Sequence, residues 1–134
     1  MTVPEKILVV DDSDDTREMM AKLLELESFT VITAEDGRKG FDRARAEHPD
    51  IIITDINMPN INGIEMIKML RNESEFSKVP IMAITAYGNG VAAEAIEAGA
   101  DHASTKPIEF ESLMGGIKQL LAASKKNNTR ANGC

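Results

Sequence analysis

The chain is predicted to fold as one doubly wound α/β domain, a five-stranded parallel sheet flanked by five helices. Two features carry this prediction. Short apolar runs rich in β-branched residues recur as Ile7-Leu-Val-Val10, Thr30-Val-Ile-Thr33, Ile51-Ile-Ile-Thr54 and Ile81-Met-Ala-Ile-Thr85, and segments of helical period lie between them. The runs are continuous instead of alternating, as strands covered by helices on both faces require. Strand and helix alternating five times with right-handed crossovers place helices on both sides of the sheet.

Each element has its own signal. The first run leads into a helix over 14–27, where Met19, Met20, Leu23, Leu24 and Leu26 recur near a 3.6 period and Ser13 is placed to cap the first turn. The second leads into a helix from Asp36 or Gly37 to about Glu47, ended by His48-Pro49. After the third comes a helix over 63–71 with Ile64, Ile67 and Leu70 on one stripe, and after the fourth a short alanine-rich helix over 91–98 closed by Gly99. His102-Ala-Ser-Thr105 is a weaker fifth strand. The last helix, from 109 to about 122, aligns Phe110, Leu113, Met114, Ile117, Leu120 and Leu121 on one face. The domain is thus expected over 1–123, and the polar tail 124–134, with nothing to bury, is expected to be disordered.

Length and composition set limits on function. The 134 residues suit one domain, which leaves no room for a separate output domain. With 43% apolar and 28% charged residues the composition is globular. The net charge is −7, and all 22 acidic residues precede Ser124 while Lys125, Lys126 and Arg130 follow it. Phosphate-backbone binding needs clustered Lys and Arg, so nucleic acid is not an expected partner. A single cysteine at position 134 allows no internal disulfide and no metal-ligand spacing, which suits a reducing compartment. With apolar runs of only a few residues and no leader pattern, a cytoplasmic protein without membrane contact is expected.

In open α/β sheets, ligands bind beyond the carboxyl ends of the strands, where strand order reverses. Asp11 and Asp12 follow the first run, Asp55 the third, Thr85 and Ala86 close the fourth, and Lys106-Pro107 follow the fifth. Two like charges about 5 Å apart repel by roughly 3 kcal/mol at an effective dielectric near 20, so such a cluster requires a cation. Three carboxylates and one ammonium leave the charge that one Mg²⁺ balances, and an all-oxygen donor set suits that ion, although other divalent metals that prefer hard ligands stay open. Singly, each residue has a plainer reading. Asp11 and Asp12 favour a helix start, Asp55 an Asx-turn before Met58-Pro59, Thr85 a strand, and Lys106 the surface. It is their joint placement at strand ends that points to a site.

Other features read modestly. Met19, Met20, Met82 and Met114 lie on core-facing patterns, whereas Met66 and Met69 are expected to be partly exposed. His48 and His102 are isolated. The run Asp11-Asp12-Ser13-Asp14-Asp15 lacks the glycine and glutamate of a calcium loop.

The segments Ile7-Leu-Val-Val-Asp-Asp-Ser13, Asp50-Ile-Ile-Ile-Thr-Asp-Ile-Asn-Met-Pro59 with Asn62-Gly63, Ile84-Thr-Ala-Tyr87, and Gly99-Ala-Asp101 leading to Lys106-Pro107 give residues 6–122 a strong resemblance to the receiver domain of two-component response regulators. The resemblance implies a flavodoxin-like receiver fold of the stand-alone type. It implies that Asp55 accepts a phosphoryl group from a phosphohistidine, on a sensor histidine kinase or a phosphotransfer protein. Asp12 and Asp55 would bind Mg²⁺ directly, Asp11 mainly through water, and the backbone carbonyl of Asn57 would complete the set. Thr85 and Lys106 would contact the phosphoryl oxygens. Thr85 would also move as a switch and repack the face formed by the fourth helix, fifth strand and fifth helix. The family usually has an aromatic residue three places before the lysine, and here that position is Ala103. Tyr87, on the loop after Thr85, is either the substitute moving bulk or a residue that tunes water access.

The expected function is therefore a phosphoprotein switch or phosphorelay member of two-component signal transduction. It would not be an enzyme in the ordinary sense, beyond assisting its own phosphorylation and dephosphorylation, and its downstream protein target is unknown. Two alternatives stand beside it: a Mg²⁺-dependent phosphohydrolase of the haloacid dehalogenase type, which would want an acid where Asn57 stands, and a receiver-like scaffold that never uses its acidic pocket.

Overall fold

A computed structural model describes residues 5–58, 61–86, 89–107 and 109–133, with side-chain surroundings given as far as Ser124, those of Asn89 excepted. The elements follow the order β1 (Lys6–Val10), α1 (Asp14–Leu26), β2 (Thr30–Ala34), α2 (Gly37–Glu47), β3 (Ile51–Asp55), α3 (Gly63–Arg71), a 3-10 turn (Ser74–Phe76), β4 (Ile81–Thr85), α4 (Asn89–Ala98), β5 (His102–Thr105) and α5 (Phe110–Gly133). All five strands are parallel, in the order β2-β1-β3-β4-β5. The chain steps outward from β1 to β2 and then returns past it to β3. Strand order therefore reverses between β1 and β3, which puts the crevice beyond their carboxyl ends.

Alternation along the strands splits the core into two layers. Ile7, Val9, Ile51, Ile53, Met82 and Ile84 pack with Leu24 of α1 and Leu113, Ile117 and Leu121 of α5. Leu8, Val10, Ile52, Ile81 and Ala83 pack on the other face with Phe41 and Ala44 of α2, Met66, Ile67 and Leu70 of α3, and Ala95 of α4. Each fully buried side chain of this size contributes roughly 1.5–3 kcal/mol from apolar burial. β3 and β4 are buried throughout, but β2 and β5 are only partly covered because they form the two edges of the sheet. A continuous apolar run in β2 thus overstates its burial.

Local signals set the helix starts. Ser13 caps α1 by accepting from the Thr16 N–H, Asp36 caps α2 through Lys39, and Asn62 caps α3 through Glu65. Asp14 and Asp15 lie in the first turn of α1, at the positive end of its dipole. α5 continues to Gly133, past the end near Ala122 that its apolar stripe indicates, because residues 123–132 hold no proline or glycine to stop it.

The methionines differ from expectation in two places. Met19 is 57% exposed, since α1 turns Leu24 into the core and leaves Met19 on the flank facing α5. Met66 is fully buried, because Gly40 of α2 makes room for it: a Cβ there would lie 2.7 Å from the Met66 sulfur. Met82 and Met114 are buried, as their patterns indicate.

Candidate functional site

The crevice at the β1/β3 reversal collects three carboxylates. Asp11 follows β1 directly, Asp12 is next in the loop, and Asp55 is the last residue of β3. One carboxylate oxygen from each lies within 4.8 Å of the others. Asp11 and Asp55 are 3% and 7% exposed, while Asp12 is open to solvent. Lys106, just after β5, brings its Nζ to 3.4 Å from Asp55 Oδ2 and 3.7 Å from Asp11 Oδ2. The Lys106–Pro107 peptide is cis.

Backbone contacts fix each group. The Asp11 N–H donates to Ala34 O at 3.1 Å, which ties the loop after β1 to β2. Thr54, fully buried, donates its hydroxyl to the Asp55 carbonyl at 2.8 Å. The Gly63 N–H donates to Ile56 O at 2.9 Å, and a Cβ on Gly63 would come within 2.3 Å of Asp55 O, so the start of α3 closes on the acceptor strand where no side chain fits. Thr85 is buried at the end of β4, and its carbonyl accepts the Lys106 N–H at 2.8 Å. Asp11, Asp55 and Lys106 thus meet in the crevice, Asp12 completes the group from the exposed side, and Thr85 ends the neighbouring strand β4. Asn57 is exposed on the loop that follows Asp55.

Electrostatics distinguish Asp55 from an ordinary surface acid. Burial pushes its carboxyl above the ordinary value of 3.8 and Asp11 pushes it further, while Lys106 and the Ile56 N–H oppose the shift without cancelling it. Ionisation of Asp55 therefore costs stability. The cost is absent below the unfolded value, grows as pH rises through the raised folded value, and is complete above it. In metal-free buffer, Asp55→Asn is expected to be more stable than the wild type at neutral pH and to lose that advantage as the pH falls toward about 4. Denaturant midpoints across that range check this, and equal midpoints at neutral pH would contradict it.

Ala103 is partly buried and borders an open cleft of about 520 Å³ with Ala92, Ser104, Thr105 and Pro107, consistent with the missing aromatic ring at that position. Tyr87 and Pro59 lie outside the described residues. His48 is exposed and stacks on Phe76, while His102 pairs with Ser104, and neither touches the acidic group. Two side chains with long-range backbone contacts escape sequence reasoning, Arg17 behind the acidic loop and Arg71 at the far end of the sheet. A weak signal existed for the first, its i,i+3 spacing from Asp14.

Comparison with known proteins agrees with this geometry. Residues 7–118 match the family model described as the response regulator receiver domain. The chain is 36% identical over 126 residues to the transcriptional regulatory protein CpxR homolog of Haemophilus influenzae, covering 92% of this chain and 54% of that protein. It is 33% identical over 120 residues to the hybrid signal transduction histidine kinase D of Dictyostelium discoideum, covering 89% of this chain and 8% of that one. The chain thus spans about half the length, or far less, of these relatives. Among solved structures, the chemotaxis response regulator CheY4 of Vibrio cholerae superposes with a TM-score of 0.83 at 32% identity, covering 88% of this chain and 99% of that one.

Proposed function

The chain belongs to the response regulator receiver domain family, and we propose that it is a phosphoacceptor switch in which Asp55 takes a phosphoryl group from a phosphohistidine on a sensor kinase or phosphotransfer protein. The single observation that carries this reading is the meeting of Asp11, Asp12 and Asp55 within 4.8 Å, with the Lys106 ammonium 3.4 Å from Asp55.

An all-carboxylate set of this spacing fits a hard divalent cation, and Mg²⁺ is the one we assign. Asp12, Asp55 and the Asn57 carbonyl would hold it directly, with Asp11 through water. Bound there, the ion would supply charge neutralisation at the phosphoryl oxygens. The rest falls to the chain. An Asp55 carboxylate oxygen attacks phosphorus; the O–P bond forms, the P–N bond breaks, and its electron pair stays on the donor imidazole. Lys106 and Thr85 would donate to the equatorial oxygens, where charge builds in this step. Thr85 would then report the phosphoryl group to the loop after β4, with Tyr87 either the moving bulk in place of the absent aromatic residue at 103 or a residue that tunes water access.

The donor needs a place to rest. An apolar groove of about 480 Å³ opens beside Lys106 between α1 and α5, lined by Met19, Met20, Phe110 and Leu113. The exposed Met19 gives an incoming protein apolar surface on the groove that borders Lys106. Among the described residues no helix is long and apolar enough to cross a membrane.

Incubation with acetyl phosphate and Mg²⁺, followed by intact-mass measurement, tests the reading. One phosphoryl group is expected on the wild type and none on Asp55→Asn or on wild type with excess EDTA. A phosphoryl group on Asp55→Asn would overturn the assignment.

A further inference from the structure

We propose that Arg17 is a positioning residue for the acidic site, strapping the loop that presents Asp11 and Asp12 to the first turns of α1. The inference rests on the Mg²⁺-assisted acceptor reading and assigns a role to a side chain outside the carboxylate–lysine group.

Arg17 is a charged side chain with only 14% of its surface exposed, so its fork has given up most of its water and needs protein acceptors. It finds two. Nη1 donates to the Asp11 carbonyl at 2.8 Å, and Nη2 pairs with the carboxylate of Asp14, which is itself 74% exposed. The first contact crosses from the helix back to the end of β1, over the residues that carry the acidic pair.

With that contact, the polar atoms of Asp11 are accounted for. Its N–H goes to Ala34 O at 3.1 Å, its carbonyl takes Arg17, and Oδ1 accepts the Ser13 N–H at 2.8 Å. Oδ2 is left facing Lys106 and the crevice. Asp11 is thus held at three atoms and presents one oxygen, and Asp12 hangs from the same strapped loop. Removing the arginine frees the carbonyl and lets the peptide between the two acids rotate. Supporting contacts of this kind are typically worth 10–100-fold in metal affinity.

The sign of the effect separates this role from plain electrostatics. Arg17 is a cation near an anionic site, so charge alone predicts that its removal tightens Mg²⁺ binding. A positioning role predicts the opposite. Isothermal titration of the intact chain with Mg²⁺ is expected to show binding weakened about tenfold in Arg17→Ala. Arg17→Lys keeps the charge but replaces the two-pronged fork with a single ammonium, and binding in it is expected to fall between wild type and Arg17→Ala. Should Arg17→Ala fail to fold, as judged by thermal melting in EDTA, the lysine variant alone carries the test, with severalfold weakening expected. Unchanged or tighter binding in the folded variants overturns the positioning role while leaving the acceptor reading intact. Absence of Mg²⁺ binding by the wild type overturns both.

Discussion

Lys106→Met is expected to slow phosphoryl transfer to Asp55 about 100-fold at saturating Mg²⁺, because the ammonium 3.4 Å from Asp55 Oδ2 is the fixed cation aimed at the charge that builds on the transferring group. Methionine keeps most of the length of the stem and removes the charge. The same substitution should strengthen Mg²⁺ binding, since Lys106 also stands 3.7 Å from Asp11 Oδ2 and competes for the same carboxylates. Two effects of opposite direction from one residue make the test demanding. Time courses with acetyl phosphate measure the first, and titration calorimetry the second. A transfer rate within threefold of wild type would remove Lys106 from the chemistry and return it to a merely electrostatic role.

The largest stability loss outside the apolar core is expected at Arg71. Its Nε donates to Gly99 O at 2.9 Å, Nη1 to Phe76 O and Val79 O at 2.7 Å each, and Nη2 to Asp101 Oδ2 at 2.9 Å. The same Asp101 oxygen accepts the Ile81 N–H at 2.9 Å. One guanidinium thus gathers the end of α3, the 3-10 turn, the start of β4 and the turn between α4 and β5. Gly99 is shaped for it. Its φ is +125°, and a Cβ would stand 2.6 Å from Arg71 Cγ, so both conformation and space call for glycine. Arg71→Ala strands three carbonyls and leaves the Asp101 carboxylate with the Ile81 N–H and solvent. Allowing for the partial exposure of Asp101, the loss is about 2–3 kcal/mol. Arg71→Lys should recover little, because an ammonium cannot span acceptors arranged for a planar fork. Urea unfolding measures this, and a loss under 1 kcal/mol would contradict it. Phosphorylation of the folded variant should be unchanged, since the clamp sits at the opposite end of the strands from Asp55.

These two residues also mark what a sequence can and cannot tell. The strands were legible because β1, β3 and β4 are buried on both faces, which requires unbroken runs such as Ile51-Ile-Ile-Thr54. The acidic group was legible because Asp11, Asp12 and Asp55 each directly follow or end such a run, and topology then brings them together. Lys106 required the position of β5, the weakest strand, and is read mainly from its resemblance to a receiver motif.

What escaped depends on partners distant in sequence. Arg71 binds carbonyls at 76, 79 and 99 and a carboxylate at 101, and no pattern in its own helix announces this. The contact from Arg17 to the Asp11 carbonyl is main-chain recognition, to which residue identity gives no clue. The inverted exposures of Met19 and Met66 have the same origin. Helical period defines a stripe, but a neighbour such as Gly40 decides which edge of it is covered.

Asp55 itself is expected to carry the phosphoryl group. Borohydride reduction of the phosphorylated chain, which converts an aspartyl phosphate to homoserine, followed by peptide mass mapping, tests it most directly. Homoserine is expected at position 55 and at no other acid. Homoserine at position 11 or 12, or a stable adduct on His48 or His102, would contradict it.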